Sequence, residues 1–291
     1  MRKYHVALVA GLPALFWSTV SHAVVVNIDS FGAQYINSQG DLTSFTDTFN
    51  DGTPPPCGPA GCGSQPSFYG VNSQNPLPPE SSGFLQLDSS NGILGTNASG
   101  GARLNETVQV GGAKSELPKG SGSISMTGIF TLPSLSGPLN EGYGVRFIDG
   151  TPGGGPGNNQ GILELNVQWW TGNAGHPAGW YVRYLTQDFV NHQVQTIGAN
   201  LVSIPQGDDE ISLSLNLVPG SNDLFEANYA YGTGGAFGTP TSLGSAPGYL
   251  YADYVRGQFH AFTSVVPEPD KSSLLGLGLI VLAAVRRRVA S

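Results

Sequence analysis

Apolar and polar residues alternate with a period of two through much of the middle of the chain. Over residues 162–170, Leu163, Leu165, Val167 and Trp169 fall on one side, and Glu164, Asn166, Gln168 and Trp170 on the other. Successive side chains of a β-strand point to opposite faces, so this pattern predicts a strand with one buried and one wet face. Ile211, Leu213, Leu215 and Leu217 repeat it against Ser212, Ser214 and Asn216. Pro219-Gly220-Ser221-Asn222-Asp223 then turns the chain, and Phe225, Ala227, Tyr229 and Tyr231 alternate back, which predicts a hairpin.

Further strands are expected at residues 24–28, 84–87, 103–110, 123–132, 180–186, 193–197 and 255–265. Another carries Tyr143, Val145 and Phe147 on one face with Arg146 on the other. Residues 46–79 hold Pro54-Pro55-Pro56 and Pro78-Pro79. Proline lacks the donor that a ladder needs, so that stretch is expected outside any sheet interior, as a surface excursion. No repeat of 20–50 residues is present, which argues against a propeller or solenoid. The body is therefore expected to be all-β, a two-sheet antiparallel β-sandwich. In strand order and length it resembles the lectin-like jelly roll of the concanavalin and laminin-G group.

Composition sharpens this. Glycine (42) and proline (21) are abundant and charged residues make up only 11%, which suits an extracellular β-protein with long loops. Residues 24–265 hold six basic and eighteen acidic residues, a formal charge of −12, whereas the whole chain carries −8. A body so acidic repels nucleic acid and anionic membrane surfaces, so no nucleic-acid partner is expected. Cationic partners or divalent metals stay open beside plain solubility. Cys57 and Cys62 flank Gly-Pro-Ala-Gly, and in an oxidising compartment such a pair reads as a disulfide closing a small loop.

The two ends carry addresses. Arg2 and Lys3 precede an apolar run at residues 6–20, and Ser21-His22-Ala23 places small residues where signal peptidase needs them. Residues 1–23 are thus expected to be a signal peptide, with the mature chain starting at Val24. At the other end, Val266-Pro267-Glu268-Pro269 is followed by an apolar stretch at residues 274–285 and then Arg286-Arg287-Arg288. Twelve residues rise about 18 Å as a helix, short of a hydrocarbon core of roughly 30 Å. Ser272, Ser273 and a snorkelling arginine extend the span. The arginines hold that end on the cytoplasmic side and leave the body outside.

Pro-Glu-Pro, a hydrophobic segment and a terminal arginine cluster, in that order, resemble the PEP-CTERM sorting signal. The resemblance covers residues 266–288 only, and Asp270-Lys271 is more charged than the family's usual pattern. It implies an exosortase as processing partner and an inner-membrane-anchored intermediate. It also implies delivery to the cell surface or extracellular matrix, in association with exopolysaccharide and biofilm. The domain plan is a signal peptide (1–23), a β-sandwich body (24–265) and a transmembrane sorting segment (266–291).

The polar face of the strand at 162–170 is where chemistry would show. Some jelly-roll glycoside hydrolases carry Glu-x-Asp-x-Glu on a strand, and retaining hydrolysis needs two carboxyl groups close together. Here the run is Glu164-Leu165-Asn166-Val167-Gln168, with amides at the second and third positions. An amide cannot exchange the required proton, so no catalytic residue is assigned and a non-enzymatic protein is expected. A polysaccharide hydrolase using other carboxylates is the remaining enzymatic alternative.

Glu164, Asn166, Gln168, Trp170 and Trp180, with Tyr181 and Tyr184, are candidates for a carbohydrate-binding surface. Flat rings stack on pyranose faces and amides bond hydroxyls, though any β-sandwich also buries aromatics in its core. Asp149, Asp208 and Asp209 are candidate calcium ligands against the plainer reading of solvated turns, and no other cofactor is expected. His176, His192 and His260 are scattered along the sequence. The leading expectation is a non-enzymatic surface or matrix protein, with a lectin-like carbohydrate-binding module as its alternative.

Overall fold

Strands form where the alternation is cleanest, because a period-two stripe can only be buried on one side of a sheet. The computed structural model describes residues 25–36, 42–49, 67–70, 80–81, 83–89, 93–96, 102–111, 117–119, 124–132, 141–150, 161–170, 177–188, 193–200, 207–252 and 254–264. The candidate signal residues Ser21 and Ala23, the pair Cys57 and Cys62, and the sorting motif with Arg286, Arg287 and Arg288 lie outside the described residues.

In chain order the strands are β1 (Val25–Ile36), β2 (Leu42–Asp47), β3 (Ser67–Gly70), β4 (Glu80–Ser81), β5 (Phe84–Asp88), β6 (Ile93–Thr96), β7 (Ala102–Gly111), β8 (Leu117–Pro118) and β9 (Ile124–Thr131). There follow β10 (Gly142–Gly150), β11 (Gly161–Trp170), β12 (Gly179–Asp188), β13 (Gln193–Asn200), β14 (Glu210–Leu217), β15 (Leu224–Thr233), β16 (Ala236–Phe237), β17 (Thr241–Pro247) and β18 (Tyr254–Ser264). They make two antiparallel sheets. The first runs β16-β15-β14-β9-β1-β5-β4, with β17 beside β15 and β2 beside β1. The second runs β13-β12-β11-β10-β18-β7-β3, with β6 beside β7 and β8 beside β18.

The expected hairpin is the β14–β15 pair, with Leu217 opposite Phe225 across its turn. The proline-rich stretch at 46–79 is not wholly an excursion, since β3 lies within it. Its four residues pair with β7 at the end of the second sheet, the position where a short strand does not interrupt a ladder.

Aromatic residues from both sheets fill the space between them. Phe130 of β9 lies 5.3 Å from Tyr143 of β10 and 5.9 Å from Phe259 of β18, centroid to centroid. Phe147 of β10 meets Phe225 of β15 at 5.6 Å. Each such ring, fully buried, contributes on the order of 1.5–3 kcal/mol. Gly128 of β9 is part of the same fit, because a Cβ there would lie 2.5 Å from the Phe259 ring.

Candidate functional site

Strand β11 lies inside the second sheet, between β10 and β12. Leu163, Leu165 and Val167 enter the core, as their spacing predicts. Glu164, Asn166 and Gln168 point away from it, also as predicted. They are not wet, however: their exposures are 7%, 2% and 7%. Alternation tells which residues share a face, but it carries no information on whether that face is itself covered. The expectation of a solvated second face is corrected on this point.

Buried polar groups must find partners, and these do so across strands. Register sets out two rows. Glu164 is opposite Arg146 of β10, which is opposite Gln258 of β18. The Arg146 Nε donates to Gln258 Oε1 at 2.6 Å, and its Nη1 reaches Glu164 Oε1 at 3.4 Å. In the next row Asn166 and His260 flank Gly144. They stand two strand spacings apart, roughly 10 Å of backbone. Even so, Asn166 Oδ1 and His260 Nε2 meet at 2.6 Å.

That bond passes over a residue without a side chain. A Cβ at Gly144 would lie 2.6 Å from Asn166 Oδ1 and 2.1 Å from the Leu165 carbonyl oxygen. Gly142 does the same for Phe262, whose ring would meet a Cβ at 2.7 Å. Asn166 Nδ2 in turn donates to Glu164 Oε2 at 3.1 Å. With the amide oriented so, His260 carries a proton on Nε2, and the chain of donors runs from His260 through Asn166 to Glu164. The His260 Nδ1 lies 3.9 Å from Glu164 Oε1.

A second cluster adjoins the first. Asn166 is opposite Arg183 of β12, and Gln168 is opposite Tyr181. The Arg183 Nη1 donates to Gln168 Oε1 at 2.7 Å, and the guanidinium carbon sits 3.9 Å above the Trp170 ring centre. Burial pushes the guanidinium down to about 10, against the opposing pull of Glu164, so it stays cationic at neutral pH. Trp170 is partly exposed, and Tyr181 donates its hydroxyl to the Pro177 carbonyl at 2.9 Å.

The remaining candidates fall elsewhere. Trp180 is opposite Trp169, on the core side, and the two rings meet edge to face at 5.4 Å. Trp180 packs against the core, so it does not share a surface with Trp170. Tyr184 is fully buried in the core, its hydroxyl donating to the Phe225 carbonyl at 2.9 Å. The Asp149 carboxylate accepts the backbone N–H groups of Tyr251 and Ala252 at 3.0 and 2.7 Å. Asp208 accepts the Thr233 hydroxyl at 3.3 Å, and the Asp209 carbonyl accepts the Leu132 N–H at 2.7 Å. Asp149 belongs to the second sheet while Asp208 and Asp209 precede β14 of the first. Among the described residues no three His, Cys, Asp or Glu side chains form a group able to hold a metal.

Arg146, Arg183, Gln258 and His260 join the face although sequence reasoning did not select them. The alternation of Arg256, Gln258 and His260 with Val255, Phe259 and Ala261 was a usable signal. The partner strand was not, since Asn166 and His260 are 94 residues apart. Chemically, the face offers amides and guanidinium groups, which bind hydroxyls and carboxylates, beside one indole ring.

No protein-family model matches the sequence, and no curated protein matches it. Among solved structures the chain is similar to lectin II from Ulex europaeus, at 11% identity and a TM-score of 0.36, over 60% of this chain and 83% of that one. It is similar to the lectin UEA-II complexed with galactose at 12% identity and a TM-score of 0.36, over 61% and 85% of the two chains. Peanut lectin with a nine-residue peptide gives 12% identity and a TM-score of 0.34, over 84% and 90%.

Proposed function

We propose that this is an exported, exosortase-sorted surface or extracellular-matrix protein whose sandwich binds polysaccharide and performs no chemistry on it. The observation that carries the binding role is the outer face of the second sheet. There Gln168 and Arg183 are held in fixed geometry beside the partly exposed Trp170 ring. A ring presents a surface for a pyranose face, and preordered amide and guanidinium groups present hydrogen-bonding partners for hydroxyls. The buried rows around Glu164 and His260 act as the support that fixes them. Export and sorting are supported by Ser21-His22-Ala23 and by Val266-Pro267-Glu268-Pro269 with its arginine-stopped apolar segment.

Two measurements test the two halves. The full chain, purified in detergent, should be retarded in affinity electrophoresis by the producer's own exopolysaccharide, and Trp170→Ala should abolish retardation with an unchanged melting temperature. No retardation by any polysaccharide would end the binding role. Deleting the exosortase should shift the protein from surface to inner membrane with its C-terminal segment retained; unchanged surface delivery would end the sorting role. Incubation with the same polymers should release no reducing ends. The candidate calcium ligands Asp149, Asp208 and Asp209 are assigned no role in binding, so chelation should leave retardation unchanged.

A further inference from the structure

We infer that Trp170, Arg183 and Gln168 form a subsite for a carboxylate carried by the saccharide, so that the ligand is a uronate-containing polysaccharide; the inference rests on the carbohydrate-binding role proposed above. Two donor groups lie there, an indole N–H and a guanidinium with N–H groups beyond the one given to Gln168. The Trp170 Nε1 is shielded from solvent and meets no hydrogen-bond partner among the described residues. Native proteins seldom leave a buried N–H unsatisfied, because the lost hydration is not replaced. Above the same ring lies a guanidinium that is only 8% exposed. Its hydrogen bond is to the neutral amide of Gln168; among the described residues no carboxylate hydrogen-bonds it, and Glu164 acts on it only through its charge. Buried cations are ordinarily paired, since desolvation is costly for a charge that gains nothing in return.

An indole N–H and a guanidinium stacked over the same ring ask for the same thing, an anionic oxygen pair. Guanidinium matches a carboxylate bidentately and has donors to spare beyond the one given to Gln168. The charge distribution agrees. In a body of formal charge −12, three of six basic residues, Arg146, Arg183 and Arg256, lie on this one face. Arg146 is engaged by Glu164 and Gln258, whereas Arg183 stands opposite the neutral Asn166 and hydrogen-bonds the neutral Gln168. Trp170 is itself partly exposed, which gives an approach to the pair.

Calorimetric titration of the full chain in detergent separates the possibilities, with an oligouronate, a sulfated oligosaccharide and a neutral oligosaccharide of equal length as probes. The oligouronate should bind at least tenfold more tightly than the neutral probe, and the advantage should shrink as salt rises. Arg183→Gln should bring uronate affinity down to the neutral level. Trp170→Phe, which keeps a ring and removes the N–H, should weaken uronate binding several-fold. That second variant keeps the test open should the Arg183 variant fail to fold. Equal affinity for uronate and neutral probes, or uronate binding untouched by both variants, would overturn the subsite. Tighter binding of the sulfated probe would overturn the carboxylate assignment. Binding of none of the three would remove the carbohydrate-binding role itself.

Discussion

Asp149 of β10 in the second sheet and Asp223, in the turn just before β15 of the first, hold adjacent halves of one short segment, residues 249–252. Asp223 accepts the N–H groups of Tyr249 and Leu250 at 2.9 and 3.0 Å, and Asp149 accepts those of Tyr251 and Ala252 at 3.0 and 2.7 Å. Lys119 donates to the Leu250 carbonyl between them. Four consecutive backbone donors that belong to no ladder are thereby satisfied, and the segment ties the sheets together at one end. Replacing either aspartate by alanine strands two N–H groups, at roughly 1–3 kcal/mol for each buried donor. Asp149→Ala and Asp223→Ala should each lower unfolding free energy by at least about 2 kcal/mol in urea titration, with the slope unchanged.

The same pair sets a pH dependence. Burial raises both carboxyl groups above the ordinary aspartate value; the backbone N–H bonds and Lys119 pull them partly back, and Asp149 pushes Asp223 up further. Asp29 is raised too, chiefly by burial, with Thr131 opposing. A carboxyl group that is harder to ionise in the folded state binds more protons there than in the unfolded chain. Between the ordinary value and the raised one, stability therefore falls as pH rises, and it levels off above that window. Melting temperature measured from pH 4 towards neutrality should show this decline, and Asp149→Asn should flatten it.

Gly144 should be intolerant of even one methyl group. The Asn166–His260 bond occupies the space a side chain would take, and the Leu165 carbonyl oxygen would lie 2.1 Å from the new Cβ. Backbone is on one side and a buried polar network on the other, so neither can yield cheaply. Gly144→Ala should cost about 3 kcal/mol or more, in the range of severe overpacking. Thermal denaturation of soluble protein, or its absence from the soluble fraction, checks this. Gly220→Ala offers the comparison: its φ of 80° strains an alanine, but nothing lies within 4 Å of a Cβ, so the loss should be about 1 kcal/mol.

Much of the fold was legible because burial writes itself into the sequence as periodicity. Leu163, Leu165 and Val167, and Ile211, Leu213 and Leu215, all reach the core that their spacing implies. The hairpin was legible from its turn residues. What period two cannot encode is the neighbour. Trp180 read as a plausible companion of Trp170, yet β11–β12 register sets it against Trp169 on the opposite face. His260 read as isolated, yet β18 and β11 flank the same strand, and Gly144 lets their side chains touch. A glycine within an alternating strand was the trace left in the sequence, interpretable only once both neighbours are known.

Two buried tyrosines make opposite predictions from one substitution. Tyr143 and Tyr184 are both fully buried, and burial raises the pKa of both hydroxyls. Tyr184 donates to the Phe225 carbonyl at 2.9 Å, linking β12 to β15 across the core. The Tyr143 hydroxyl meets no acceptor among the described residues, while its ring packs 5.3 Å from Phe130. Phenylalanine preserves the ring in each case and deletes only the hydroxyl. Tyr184→Phe removes a satisfied bond and leaves a carbonyl with one fewer donor, so it should lose about 1 kcal/mol. Tyr143→Phe removes a polar group that was desolvated without recompense, so stability should hold or rise by about 1 kcal/mol. Parallel urea titrations of the two variants measure the difference. A loss at Tyr143 as large as that at Tyr184 would mean that the Tyr143 hydroxyl has a partner in solution.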